Sequence, residues 1–322
     1  MKYRKLGNSG IDVSVIGHGT WALGNDFFGE VDAERGIRAI HQSLDLGVNL
    51  VDTAPAYGQA FEAELAVGKA IKDRRDKVIL STKCGVHRIM GEYVRCLSPM
   101  VVRQELENSL RRLGTDYIDV YFIHWPDLNF GIDGALELLA EFKKEGKIRT
   151  GGVSNFNVEQ IKLAQEKAGI SCVQPPCNLF NHSSFENGII PYCAENDLGI
   201  MTYGSLGGGI LTGKIKKPIV NGGKEGRAGF YDFFNEPTWT NCNKVLDVLR
   251  AIADGRGVTV AEVSLNWVLA QKGVTTTLMG PTDPEHAAKN VLAADWELTA
   301  EELAVIDAAY DKYMKGGPEA QA

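Results

Sequence analysis

The chain has 322 residues, and its 41 Asp and Glu outnumber its 34 Lys and Arg to give a formal charge of −7. That balance excludes the basic footprint of a nucleic-acid binder and the polybasic signal of an anionic-lipid binder. No apolar run approaches the roughly 18 residues needed to span a bilayer, and the opening MKYRKLGNSG lacks the apolar core of a secretory signal, so a cytoplasmic protein is expected.

Barrels and large α/β folds run to about 250 residues or more as one unit, and residues 1–322 are read as a single domain. The six cysteines (84, 96, 172, 177, 193 and 242) contain no CxxC and read as reduced thiols. The six histidines show neither HxxxH nor HExxH spacing, so no metal site is expected.

Residues 2–6, the turn Gly7-Asn8-Ser9-Gly10 and the run after it predict a β-hairpin before the first repeating unit. Apolar, β-rich runs then recur at 13–16, 48–51, 78–81, 118–123, 148–153, 172–174, 199–203 and 276–278. Helical periodicity falls between them, at Ile37, Ile40 and Leu44, at Val102, Leu106 and Leu110, and at Leu138, Leu139 and Phe142. Start signals agree. Ser98-Pro99 offers an N-cap followed by proline at the first helical position, and Asn157/Gln160, Thr259/Glu262 and Thr299/Glu302 have capping-box spacing.

Eight β-then-α units with short links predict a (β/α)8 TIM barrel in preference to its rival, a doubly wound open sheet. Two insertions, 84–97 and the Gly-rich 204–238, interrupt the rhythm, and loops of that length usually bind something or are disordered.

The stretch NLVDTAPAYG ends a strand on Asp52 and places Tyr57 in the loop beyond. Lys83 ends the third run and His124 the fourth, so three ionisable groups occupy equivalent strand ends, which converge on the mouth of a βα barrel. A phenol with pKa near 10 is a weak donor at neutral pH, and a neighbouring ammonium is expected to lower that value. Lys83 would tune Tyr57, Asp52 would partner the buried ammonium, and His124 would orient an acceptor oxygen, giving a proton donor for a carbonyl.

With these residues in place, the sequence resembles the aldo-keto reductases. DTAPAYG (52–58), STK (81–83), DVYFIHWPD (119–127), GVSNF (152–156), the segment 178–200 and LTGK (211–214) match that family's signatures in order. The resemblance implies reduction of aldehydes or ketones, or oxidation of the matching alcohols, with NADP(H) or NAD(H). It implies Asp52, Tyr57, Lys83 and His124 as the catalytic tetrad, with Ser154, Asn155 and Gln174 at the carboxamide and Tyr203 stacked on the nicotinamide. It places Leu206, Gly208 and Lys214 beside the pyrophosphate and implies Asp52, Gly204, Ser205, Gly280, Thr282, His286, Lys289 and Asn290 as further cofactor-binding residues, with Gly19, Thr20 and Trp21 lining the mouth. Trp21, Tyr57, His124 and Trp125 are the expected substrate contacts, and Phe27, Phe28 and Tyr231 extend an aromatic lining.

Two motifs are decoys. Gly208–Lys214 has GxxxxGK spacing, but Ile215 stands where a phosphate-binding loop needs Ser or Thr, and the Gly17–Gly19 run lacks the third glycine of a dinucleotide fingerprint. One departure bears on the cofactor: Thr282 stands where many relatives carry an arginine for the 2′-phosphate, and Asp283 adds an opposing charge or caps a helix, with His286 or Lys289 left to compensate. Two other readings stay open, a nucleotide-binding regulatory or scaffold barrel with incidental turnover, and a glycoside hydrolase, which would need a second facing carboxylate.

Overall fold

The computed structural model describes residues 1–222 and 225–315. Among the described residues the strands, in chain order, are β1 (Tyr3–Lys5), β2 (Asp12–Ser14), β3 (Ile16–Gly19), β4 (Leu50–Asp52), β5 (Ile79–Cys84), β6 (Val86–Ile89), β7 (Glu92–Arg95), β8 (Ile118–Ile123), β9 (Ile148–Ser154), β10 (Cys172–Gln174), β11 (Gly199–Thr202) and β12 (Thr276–Met279). Strands β3, β4, β5, β8, β9, β10, β11 and β12 pair in that order, all parallel, and β12 returns to β3 to close the barrel. Helices such as Ala33–Asp45, Pro99–Leu113 and Asp133–Lys144 follow the strands and bury their apolar stripes on the outside of the barrel.

The barrel interior is filled by Leu50, Val120, Phe122, Cys172, Met201 and Leu278, and Leu6, Ile11 and Val13 of the N-terminal hairpin join the same cluster. The hairpin stoppers the end where strands begin. A Cβ on Gly7 would meet the Gly199 nitrogen at 2.4 Å, so backbone packs directly on backbone there. Function is thereby left to the opposite mouth.

The helix starts follow local chemistry. Asn157, Thr259 and Thr299 each form a complete capping box, whereas Ser98 stands at the N-cap without a side-chain bond, ahead of Pro99.

Two expectations need correction. The run 13–16 is not one barrel strand: Asp12–Ser14 pairs back on β1, and Ile16–Gly19 begins the barrel after Val15. The insertion 84–97 is not a plain loop but an antiparallel ribbon, β6 on β7, whose turn holds Met90 and Gly91 at φ 51° and 90°. Among the described residues no helix is long and apolar enough to cross a membrane.

Candidate active site

The strand ends place Asp52 and Lys83 side by side. Lys83 Nζ donates to Asp52 Oδ2 at 2.7 Å, to Oδ1 at 2.9 Å and to the Thr53 carbonyl at 2.8 Å. Ser81 Oγ and Gln174 Nε2 also donate to Asp52 Oδ1, at 2.7 and 2.9 Å. A buried ion pair persists only when its remaining lone pairs and protons are satisfied, and here they are.

Tyr57 lies above this pair, with Lys83 Nζ 5.0 Å from its ring centroid and the His124 ring 5.9 Å away, edge-on. The electrostatics differ from the sequence expectation. Burial, then the Asp52 charge, pushes the Tyr57 phenol well above its usual 10, so the ammonium does not lower it in this setting. Lys83 is itself pushed down by burial while Asp52 pulls it back up. His124 is held well below 6.5 by burial, then by Lys83 and Arg95, so its imidazole is neutral at physiological pH.

Two cavities meet at this point. The larger, about 390 Å³, runs from Gly19, Thr20, Trp21 and Asp52 past Gly204, Ser205, Leu206 and Gly208 to Lys214, Gly280, Thr282, His286, Lys289 and Asn290. The smaller, about 280 Å³, is lined by His124, Trp125, Ser154, Asn155 and Gln174 together with Phe27, Val86, Tyr93, Arg95 and Phe230. Trp21, Tyr57 and Tyr203 line both. Tyr203 is fixed by its hydroxyl donating to Asn155 Oδ1 at 2.8 Å, and Asn155 Nδ2 donates to the His124 carbonyl at 3.0 Å. All the residues expected at the site converge, with Lys83 just beneath the cavity floor and fully buried.

The aromatic residues divide. Phe27 and Trp125 line the smaller cavity, whereas Phe28 and Tyr231 line only the larger one. Val86, Tyr93, Arg95 and Phe230 were not foreseen, because they reach the site from the ribbon and the 204–238 segment, and neither carries a motif.

The larger cavity suits an extended dinucleotide. Gly208 has φ 64° and a Cβ there would lie 2.9 Å from the Tyr231 ring, so the loop backbone can pass that close only as glycine. Lys214, Lys289 and His286 gather at the far end, where Lys214 Nζ lies 2.9 Å from His286 Nε2, and the two ammonium groups are donors suited to phosphate oxygens. Asp283 Oδ1 caps the helix Pro284–Val291 by accepting from the Glu285 and His286 backbones, and its Oδ2 pairs with Arg35, a partner no sequence signal indicated.

A parallel eight-stranded barrel with a buried Asp-Lys pair, a phenol and a neutral imidazole at the junction of a phosphate-suited cleft and an aromatic pocket defines a nicotinamide-dependent carbonyl oxidoreductase. The Aldo/keto reductase family profile matches residues 15–311, and the chain belongs to that family. It is 36% identical to the Aldo-keto reductase YhdN of Bacillus subtilis (strain 168), covering 100% of this chain and 98% of that protein. It is 33% identical to the NADH-specific methylglyoxal reductase of Escherichia coli (strain K12), covering 93% and 95% of the two. The glycerol dehydrogenase AKR11B4 from Gluconobacter oxydans superposes with a TM-score of 0.87 at 33% identity, over 98% of this chain and 96% of that one. The protein reduces carbonyl groups with NAD(P)H.

Proposed function

We propose that the reduction runs through Tyr57 as the proton donor, with Lys83, Asp52 and His124 as its supporting groups. The observation that carries this reading is the meeting of the two cavities at Tyr57. The cofactor, when bound along the larger cavity, supplies the hydride. Tyr57 then delivers a proton to the carbonyl oxygen, which has become an alkoxide. An alkoxide is a far stronger base than a phenolate, so a phenol of raised pKa still gives up its proton to it. The phenolate left behind faces the Lys83 ammonium, whose charge offsets it. His124, being neutral, is suited to present a ring nitrogen to the carbonyl oxygen and align it. Ser154, Asn155 and Gln174 are assigned to the carboxamide and Tyr203 to the nicotinamide ring, in keeping with their places beside Tyr57.

Cofactor use is read as dual. Thr282 offers no charge to a 2′-phosphate, which leaves NADH usable, while Lys289, Lys214 and His286 line the same end and provide for NADPH. Arg35 engages Asp283, so that carboxylate is neutralised rather than left to repel a phosphate. The substrates are read as small carbonyl compounds, the class to which the relative's methylglyoxal belongs. The test is cofactor oxidation by the purified protein against aldehydes, ketones and sugars, beside Tyr57→Phe. Equal turnover by the variant would remove the phenol from the mechanism.

A further inference from the structure

The smaller cavity contains one formally charged side chain that the proposed chemistry does not use, Arg95 at the end of β7. The rest of its lining is aromatic, apolar or neutral, given that His124 is held neutral. The ribbon carries a second arginine, Arg88, and the contrast between the two is informative. Arg88 stacks on Tyr93 at 4.0 Å and is neutralised by Asp26 at 3.0 Å. Arg95 stacks on Trp125 at 4.4 Å, yet among the described residues its guanidinium makes no salt bridge or hydrogen bond, the residue being held by its backbone pairing with Val86. The carboxylate that feels its charge, Asp127, uses its oxygens on the backbone N–H groups of Leu97 and Asn129, at 2.9 and 2.8 Å.

The Arg95 charge nevertheless registers at the reaction centre, where it is one of the two cations that hold the His124 pKa down. Its guanidinium is therefore stacked beside the residue that follows His124, close enough to act on the site, and has no anion to bind among the described residues. A planar guanidinium has a fork of donors that matches a carboxylate or phosphate, and stacking on Trp125 leaves those edge donors free.

We infer that Arg95 is a specificity residue that binds an anionic group, carboxylate or phosphate, carried by the carbonyl substrate a short chain away from the reacting carbon. The inference rests on the reading of the smaller cavity as the carbonyl pocket. Aromatic walls hold the carbon chain, Tyr57 and His124 take the carbonyl oxygen, and Arg95 takes the charge at the other end.

The experiment compares kcat/KM for matched pairs: succinic semialdehyde with butanal, and glyceraldehyde 3-phosphate with glyceraldehyde. The wild type, Arg95→Gln and Arg95→Lys are each measured at low and moderate salt. A charge-assisted contact of this kind corresponds to a preference of roughly ten- to a hundredfold for the anionic member in the wild type. The preference should shrink with salt, collapse toward one in Arg95→Gln and partly return in Arg95→Lys. Whichever pair shows the preference identifies the anion as carboxylate or phosphate. Equal rates for both members of both pairs in the wild type overturn the inference, as does an Arg95→Gln variant that slows all four substrates alike, which would mark the arginine as a support for Trp125. In parallel, binding of pentanoate to the protein loaded with oxidised cofactor is followed by tryptophan fluorescence. Were no carbonyl reduced, the catalytic reading would fail, but binding of pentanoate, or of glycerol 3-phosphate titrated in the same way, that weakens in Arg95→Gln would still support the anion site, and the absence of both would overturn it.

Discussion

Lys83 and Asp52, at the ends of adjacent barrel strands, form an ion pair of 2.7 Å whose side chains are 0% and 3% exposed. Removing one partner from such a pair leaves a buried charge uncompensated and costs about 3–5 kcal/mol, more than the pair itself contributes. Lys83→Met is therefore expected to be strongly destabilised in urea unfolding, and Lys83→Met/Asp52→Asn to recover much of that loss. Carbonyl reduction should stay low in both. A double variant no more stable than Lys83→Met would contradict the account of the pair.

Tyr57→Phe keeps the ring against Trp21 and His124 and removes only the proton donor. Reduction should fall by about 10²–10⁴-fold, the usual contribution of general acid catalysis, while NADPH binding measured by fluorescence titration changes little.

His124 is held well below 6.5 by burial and by two cations. The pH profile of kcat/KM for reduction should accordingly pass through 6.5 without the inflection that an ordinary histidine would impose. An inflection there, abolished in His124→Gln, would show that the imidazole titrates in the functional range.

Glu105 lies outside the catalytic centre, under the ribbon, where its Oε2 accepts from the Gly85 N–H at 2.8 Å. Burial first, then the Glu64 charge, raises its pKa from 4.5 to about 8, against the lowering effects of the Gly85 bond and Arg112. Between those two values the folded chain holds a proton that the unfolded chain has released. This group's contribution is thus most favourable below pH 4.5 and is lost as pH rises to about 8, at roughly 1.4 kcal/mol per unit. Glu105→Gln keeps the acceptor and removes the titration. Its advantage in urea midpoint over the wild type should grow from about pH 5 to about pH 8, and a pH-independent difference would show that the carboxyl is not held protonated.

At the far end of the larger cavity, Thr282→Arg would supply a guanidinium where a 2′-phosphate is expected. The ratio of kcat/KM for NADPH over NADH should rise by roughly ten- to a hundredfold, and Lys289→Ala should lower it. If neither substitution moves the ratio, this end of the cavity does not meet the ribose phosphate.

The features legible in the sequence were local ones. The β-then-α alternation follows from which faces are apolar, and the capping boxes at Asn157, Thr259 and Thr299 follow from a side chain satisfying a backbone group three residues on. The convergence of Asp52, Lys83 and His124 was legible for a related reason, since equivalent strand ends in a parallel barrel must share one mouth. Tertiary structure decided whatever depends on summed interactions through space. Apolar patterning cannot tell hairpin strand from barrel strand across the single residue Val15, and only closure against β12 and β4 separates them. The ribbon at 86–95, the division of aromatic residues between two cavities and the pairing of Arg35 with Asp283, 248 positions apart, leave no periodic trace in the sequence. The direction of the Tyr57 pKa is likewise the reverse of the lowering expected from the sequence. A neighbouring ammonium argues for a lowered value, but the burial of the phenol and the closeness of Asp52 to Lys83 outweigh it, and both are properties of the assembled site alone.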